Sequence, residues 1–148
     1  MPKLFGTSGI RGIYGKEITL DLAIKVGSAL GTLLEFGNVL IARDSRTSSL
    51  ALENAVASGI ESAGGRVLRA GLIPTPTLAF GVKELGLDAG GMITASHNPP
   101  EYNGIKGFNS DGSAYVPFQE EEIERIVKSG RFKKVSWDLI KKSEHVDV

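Results

Sequence analysis

The chain alternates stretches of helical periodicity with short apolar runs, and that alternation restricts its fold more than any other feature. Over residues 19–36, Leu22, Val26, Leu30 and Leu33 recur on one helical face, Thr19 can cap the start, Asp21 suits its positive end, and Gly37 stops the run. Asn38 to Ala42 is a short apolar, β-branched run of the kind found in a buried strand. A second helix is expected over 49–63 (Leu52, Val56, Ile60, Ala63), closed by Gly64-Gly65. A strand near 66–70, a turn at Pro74 and Pro76, and a helix over about 77–85 follow. Residues 88–94 form a glycine-rich strand, 105–108 another, Asp111-Gly112 a turn, and 118–128 a helix with an acidic start and a basic end. Strands and helices in this order imply an α/β fold, layered helix/sheet/helix around a mostly parallel, mixed sheet. Ligands in such sheets sit outside the carboxyl ends of strands.

One domain accounts for 148 residues, since about 100–200 are usual for one. Basic and acidic residues balance at 17 each, so no overall field draws the chain to nucleic acid or to a membrane surface. No cysteine is present, which excludes disulfides, thiolate catalysis and cysteine-held metals. The start, Met1 to Gly6, has no signal-peptide core, and no apolar run is long enough to span a bilayer. A cytoplasmic protein is therefore expected. The 19 glycines are about twice the usual share and point to tight strand–helix turns. Residues from about 138 to 148 lack a core pattern and read as a tail or the start of an interdomain linker.

Chemistry concentrates at Thr94-Ala95-Ser96-His97-Asn98-Pro99, where a strand hands over to a loop. A serine hydroxyl there is exposed among donors, which permits nucleophilic or phosphoryl-carrying chemistry. A turn built by Ser96 and Asn98 alone is the plainer alternative. Other polar strings carry cations: Arg11 in Phe5-Gly6-Thr7-Ser8-Gly9-Ile10-Arg11-Gly12, Arg43 and Arg46 in Ala42 to Ser49, and Lys106 in Asn103-Gly104-Ile105-Lys106. An arginine fork suits phosphate oxygens.

These four blocks, with Gly71-Leu72-Ile73-Pro74-Thr75-Pro76, occur in the order found in the N-terminal domain of the α-D-phosphohexomutases, which the chain resembles over most of its length. The family includes phosphomannomutase/phosphoglucomutase and phosphoglucosamine mutase. The resemblance implies an isomerase that moves a phosphoryl group between C1 and C6 of a hexose phosphate, through a phosphoserine enzyme and a bisphosphate intermediate. Ser96 then stands at the phosphoserine. Arg11 and Lys106 flank the transferring group, with Lys106 neutralising charge or moving a proton. His97 orients the loop or touches phosphate, Asn98 shapes the loop, and Arg43 and Arg46 tie their loop to it. Thr7 and Ser8 offer hydroxyl or backbone donors.

The family's Mg²⁺ bridges the phosphoserine and an Asp-x-Asp-x-Asp loop of a second domain. No two of this chain's aspartates are two residues apart, so Ser96 or its phosphate is the single metal ligand expected here. The implied partners are a hexose phosphate and the remaining domains of the same enzyme, without which this chain is expected to be inactive. Two rivals stand beside this reading. A serine hydrolase would need a base near Ser96 and a Gly-x-Ser-x-Gly elbow, which the chain lacks. A non-catalytic phosphate- or nucleotide-binding α/β module finds neither a Walker A nor a Gly-x-Gly-x-x-Gly string.

Overall fold

The protein is described here from a computed structural model, which covers residues 3–6 and 9–148. It contains strands β1 (Phe5–Gly6), β2 (Gly9–Ile13), β3 (Asn38–Arg43), β4 (Arg66–Leu72), β5 (Ala89–Ile93), β6 (Tyr102–Asn109) and β7 (Glu144–His145). Helices α1 (Leu20–Leu34), α2 (Ser49–Ser62), α3 (Thr75–Glu84) and α4 (Pro117–Ser129) surround them. The strands form one mixed seven-stranded sheet in the order β1-β2-β6-β5-β3-β4-β7. Strands β5, β3, β4 and β7 are mutually parallel, β6 runs against β5, and β2 runs against β6. So β2 shares the common direction, and only β1 and β6 oppose it. The layered, mostly parallel arrangement expected from the alternation is what forms.

Alternation along β3 builds two cores. Val39 and Ile41 join a cluster with α1, α2 and α4 residues, while Leu40 and Ala42 face Leu78 and Val82 of α3. The chain moves outward from β3 through α2 to β4, then back across β3 through α3 to β5. With right-handed crossovers that reversal puts α2 and α3 on opposite faces, which is why both faces are covered.

Helix ends follow local chemistry. Thr19 Oγ1 accepts from the Leu22 N–H at 3.1 Å, as expected of a cap. The stop comes before Gly37, because Glu35 and Phe36 already take left-handed φ values of 47° and 68°. The Lys133 ammonium lies 3.2 Å from the centroid of the Phe36 ring, a cation–π contact that covers this turn.

Two segments have structure that their sequence does not announce. The glycine-rich opening contains β1 and β2, which pair with each other and whose few β-branched residues leave no strand pattern. The polar end contains β7, which pairs with Leu68 and Arg69 of β4, and Val146 packs into the α3-side core. A two-residue edge strand is held by backbone hydrogen bonds, which need no apolar period.

Helices α1 and α2 approach so closely that glycine is required at the crossing. A Cβ on Gly59 would meet the Ile24 carbonyl oxygen and come within 2.6 Å of Ser28 N; one on Gly27 would meet the Val56 carbonyl. Propensity alone favours Gly59→Ala by about 1 kcal/mol. Overpacking against backbone costs about 1–3 kcal/mol and should win. Urea denaturation is expected to show G59A destabilised; an unchanged or raised midpoint would contradict the close crossing.

Candidate functional site

Because β3 and β5 are adjacent and parallel, the loops leaving their carboxyl ends meet. The Asp44 N–H donates to the Ile93 carbonyl at 3.0 Å, carrying the pairing one residue beyond the strands. Asp44 then collects donors from both loops. Its Oδ2 accepts from Thr94 Oγ1 at 2.7 Å and from Arg46 Nε at 3.0 Å. Its Oδ1 accepts from Ser49 Oγ at 2.6 Å and from the Arg46 backbone N–H at 3.1 Å, an Asx turn that sets the direction of the loop.

Held by Asp44, the Arg46 guanidinium turns its remaining N–H groups onto the Ser96 loop. Nη2 donates to the carbonyls of Ser96 (3.0 Å) and Asn98 (2.8 Å), and Nη1 to those of Pro99 (2.6 Å) and Tyr102 (3.1 Å). One side chain thus donates to four carbonyls of a loop that makes few backbone hydrogen bonds of its own; of the four, that of Pro99 also accepts from the Tyr102 N–H at 3.0 Å. A lysine point charge could not span them.

Within this clamp Ser96 is exposed and has φ 54°, a left-handed conformation that a β-carbon makes costly. Its N–H donates to Thr94 Oγ1 at 3.1 Å. A non-glycine residue kept in this region by surrounding bonds commonly marks a functional loop. The hydroxyl is offered to solvent. His97, the next residue, is also exposed, and no described residue hydrogen-bonds its side chain.

Arg11 reaches the loop from another strand. It lies on β2 opposite Gly104, and its Nη1 donates to Asn98 Oδ1 at 3.2 Å. Its buried Nε has no partner among the described residues. Ile10 and Ile105 point into the α1/α2 core, so by alternation Arg11 and Lys106 occupy the opposite sheet face. Lys106 pairs in register with Met92, four residues before Ser96, and its ammonium lies 5.6 Å from the Phe108 ring centroid. It makes no hydrogen bond to the Ser96 loop among the described residues. Arg11 and Asn98 line an open pocket of about 410 Å³ with Lys3, Leu4, Phe5, Gly6 and Gly9. Thr7 and Ser8 lie outside the described residues.

Arg43 turns toward Glu53, not the Ser96 loop. Glu53, 1% exposed, accepts from Arg43 Nη1 and Arg69 Nη1, each at 3.1 Å, joining α2 to the end of β3 and the middle of β4. Reading by residue type did not single out Asp44, Thr94, Ser49 or Asn103. Asn103 Nδ2 donates to Ser48 Oγ (2.8 Å) and Ser49 Oγ (2.9 Å). Asp44 had a usable signal: an aspartate at a strand end, two residues before an arginine, is an Asx-turn former. Among the described residues no three His, Cys, Asp or Glu side chains are grouped to hold a cation. Asp44, the carboxylate beside the loop, already accepts four hydrogen bonds.

Burial alone would push the Asp44 carboxyl up, but hydrogen bonds from Ser49, Thr94 and Arg46 outweigh it and hold it below its ordinary 3.8. A carboxylate lowered on folding stabilises above its unfolded value and loses that contribution as pH falls through the folded one. Asp44→Asn should therefore cost about 1–3 kcal/mol at pH 7. The gap between wild type and D44N should close as the pH falls below 3.8. Chemical denaturation at several pH values reads this directly, and a gap independent of pH would contradict the clamp.

The family model for phosphoglucomutase/phosphomannomutase, alpha/beta/alpha domain I, matches residues 2–134. A probable phosphoglucosamine mutase of Thermococcus gammatolerans is 53% identical over 140 residues, covering 95% of this chain and 31% of its own length. A phosphopentomutase of Thermococcus kodakarensis is 53% identical over 146 residues, 99% of this chain and 32% of its own. The crystal structure of a phosphoglucomutase/phosphomannomutase family protein from Burkholderia thailandensis superposes with a TM-score of 0.85 at 30% identity, covering 98% of this chain and 33% of that one. The chain thus spans about a third of the length of these relatives. No helix among the described residues is long and apolar enough to cross a membrane. With its strand order, its serine loop and the residues that hold it all accounted for, the chain belongs to the phosphoglucomutase/phosphomannomutase family, matching the family's α/β/α domain I.

Proposed function

We propose that this chain is the phosphoserine-bearing domain of a multi-domain cytoplasmic phosphohexomutase, with Ser96 as the phosphoryl carrier. The observation that supports it most is the exposed Ser96 hydroxyl, on a left-handed residue whose loop Arg46 holds by four carbonyls and which Asn98 links to Arg11. In the resting enzyme Ser96 Oγ carries the phosphoryl group. The substrate's free hydroxyl attacks phosphorus, a new O–P bond forms, and the Oγ–P bond breaks. The attacking hydroxyl gives up its proton and Ser96 Oγ regains one, with Lys106 as the candidate for proton transfer or charge neutralisation. Reorientation of the bisphosphate lets Ser96 take back the other phosphoryl group by the same exchange. Such transfer depends on positioning and charge neutralisation more than on covalent chemistry from the protein. Arg11 supplies a fork for phosphate oxygens, and His97, beside Ser96, can orient the loop or contact the phosphate.

A hard divalent cation such as Mg²⁺ fits a phosphorylated Ser96, which offers oxygen ligands, but Asp44 is already engaged. Ser96 phosphate is thus this chain's contribution to a metal whose carboxylates come from elsewhere in the enzyme. When bound, the metal supplies neutralisation of phosphoryl charge. The sugar is left open by this domain, since relatives equally identical to it are named for a glucosamine and a pentose. The pentose name is reason to test ribose 1-phosphate beside glucose 1-phosphate, mannose 1-phosphate and glucosamine 6-phosphate.

Native mass spectrometry of the full-length enzyme should find phosphate on Ser96. Ser96→Ala and Ser96→Gly should each lose essentially all turnover. Glycine takes φ 54° without steric cost, so S96G should be more stable than S96A by up to about 1 kcal/mol. The 148-residue chain alone should fold without turning over any of these substrates. Phosphate on a different serine, or normal turnover by either variant, would overturn the assignment.

A further inference from the structure

Asn103 of β6 reaches from the sheet to the start of α2, where it meets Ser49, 54 residues away in sequence. Both residues are 0% exposed, so their polar atoms depend on partners inside the protein. The Asn103 amide uses every group it has. Its Oδ1 accepts from the Gly104 N–H at 2.9 Å, which sets the amide's orientation, and its Nδ2 donates to Ser48 Oγ at 2.8 Å and Ser49 Oγ at 2.9 Å. Ser49 Oγ thus receives one proton and has a single proton of its own to give. An amide nitrogen cannot accept it. It goes to Asp44 Oδ1 at 2.6 Å, the one acceptor that this hydroxyl has among the described residues. Hydrogen bonds in such a chain strengthen one another. Burial pushes the Asp44 carboxyl up, and Ser49 is the strongest of the groups that hold it down.

We infer that Asn103 is a positioning residue for phosphoryl transfer: by fixing the direction of the Ser49 hydroxyl, it steadies the Asp44 carboxylate that aims Arg46 at the Ser96 loop. This rests on the phosphoryl-transfer reading above. The Asn103 side chain makes no hydrogen bond to Ser96, Arg46 or Asp44 among the described residues, so its effect on the loop passes through Ser49. A residue that only filled space or supported β6 would act whether or not Ser49 had a hydroxyl. That difference can be measured.

The test is a double-mutant cycle in the full-length enzyme. Asn103→Val fills the space without a donor, Asn103→Ala serves as the smaller replacement if valine is not accommodated, and Ser49→Ala removes the hydroxyl. In the wild-type background either change at Asn103 should lower kcat/KM about fivefold, the scale of one net hydrogen bond. S49A should itself lose at least as much. In the S49A background the same change at Asn103 should alter kcat/KM by less than about twofold, because the path to Asp44 is already cut. Amide exchange over residues 96–98 should quicken in N103V, N103A and S49A alike. Equal fold losses in the two backgrounds, or unchanged exchange over 96–98, would overturn the inference. A wild-type enzyme without phosphate on Ser96 would instead sink the reading of the site, and exchange over 96–98 would still show whether Asn103 holds the loop.

Discussion

The contact between Asp44 and Arg46 is the one on which the site depends. A long loop at the carboxyl end of a parallel strand cannot hydrogen-bond its own backbone throughout, and unpaired carbonyls leave it without a fixed shape. Arg46 donates to four carbonyls of this loop, and Asp44 orients the guanidinium while also accepting from Thr94 at the root of the same loop. Loop and support are therefore determined together. The left-handed φ of Ser96, which an isolated serine would leave, is held by this surrounding network. The arrangement exists because β3 and β5 are neighbours, and they are neighbours because the chain reverses across the sheet after β4.

A second constraint explains where the cations lie. Strand β6 returns antiparallel from the serine loop and pairs with β2, which brings Arg11 beside Gly104 and onto the face that also carries Lys106. Gly104 is needed there, since a Cβ would meet the Ile10 carbonyl and approach the Thr94 carbonyl to 2.8 Å. The two cations thus share a sheet face. The hydrogen bond from Arg11 to Asn98 connects that face to the loop, while Lys106 stands deeper along β6, beside Phe108.

Much of this was legible in the residues. Helices α1 and α2 follow from apolar period, α4 from its acidic start and basic end, and β3 from an apolar run, because a buried parallel strand must be apolar on both sides, while β5 reads as a glycine-rich strand entering the serine loop. Less legible were β1, β2 and β7, which are short, glycine-rich or polar and depend on backbone pairing that leaves little mark on side-chain pattern. The same division runs through the site. Ser96, Arg11 and Arg46 stand out by type and motif. Asp44 and Thr94 do not, because their importance lies in whom they face across a sheet, and Arg43 faces Glu53 although it is only three residues from Arg46. Glu124 is the extreme case: a charged helix residue, expected on a solvated face, spends its carboxylate on the backbone of a strand 119 residues away in sequence.

The central claim is that Arg46 holds the Ser96 loop in its strained, presented shape, and the direct measurement is a crystal structure of the Arg46→Lys variant beside the wild type. Lysine keeps the charge but cannot bridge Asp44 and four carbonyls at once. The account predicts that residues 96–99 lose their single conformation and that Ser96 leaves φ 54° for an ordinary negative value. A loop that superposes on the wild type, with Ser96 still left-handed, would show that the clamp is not what holds it.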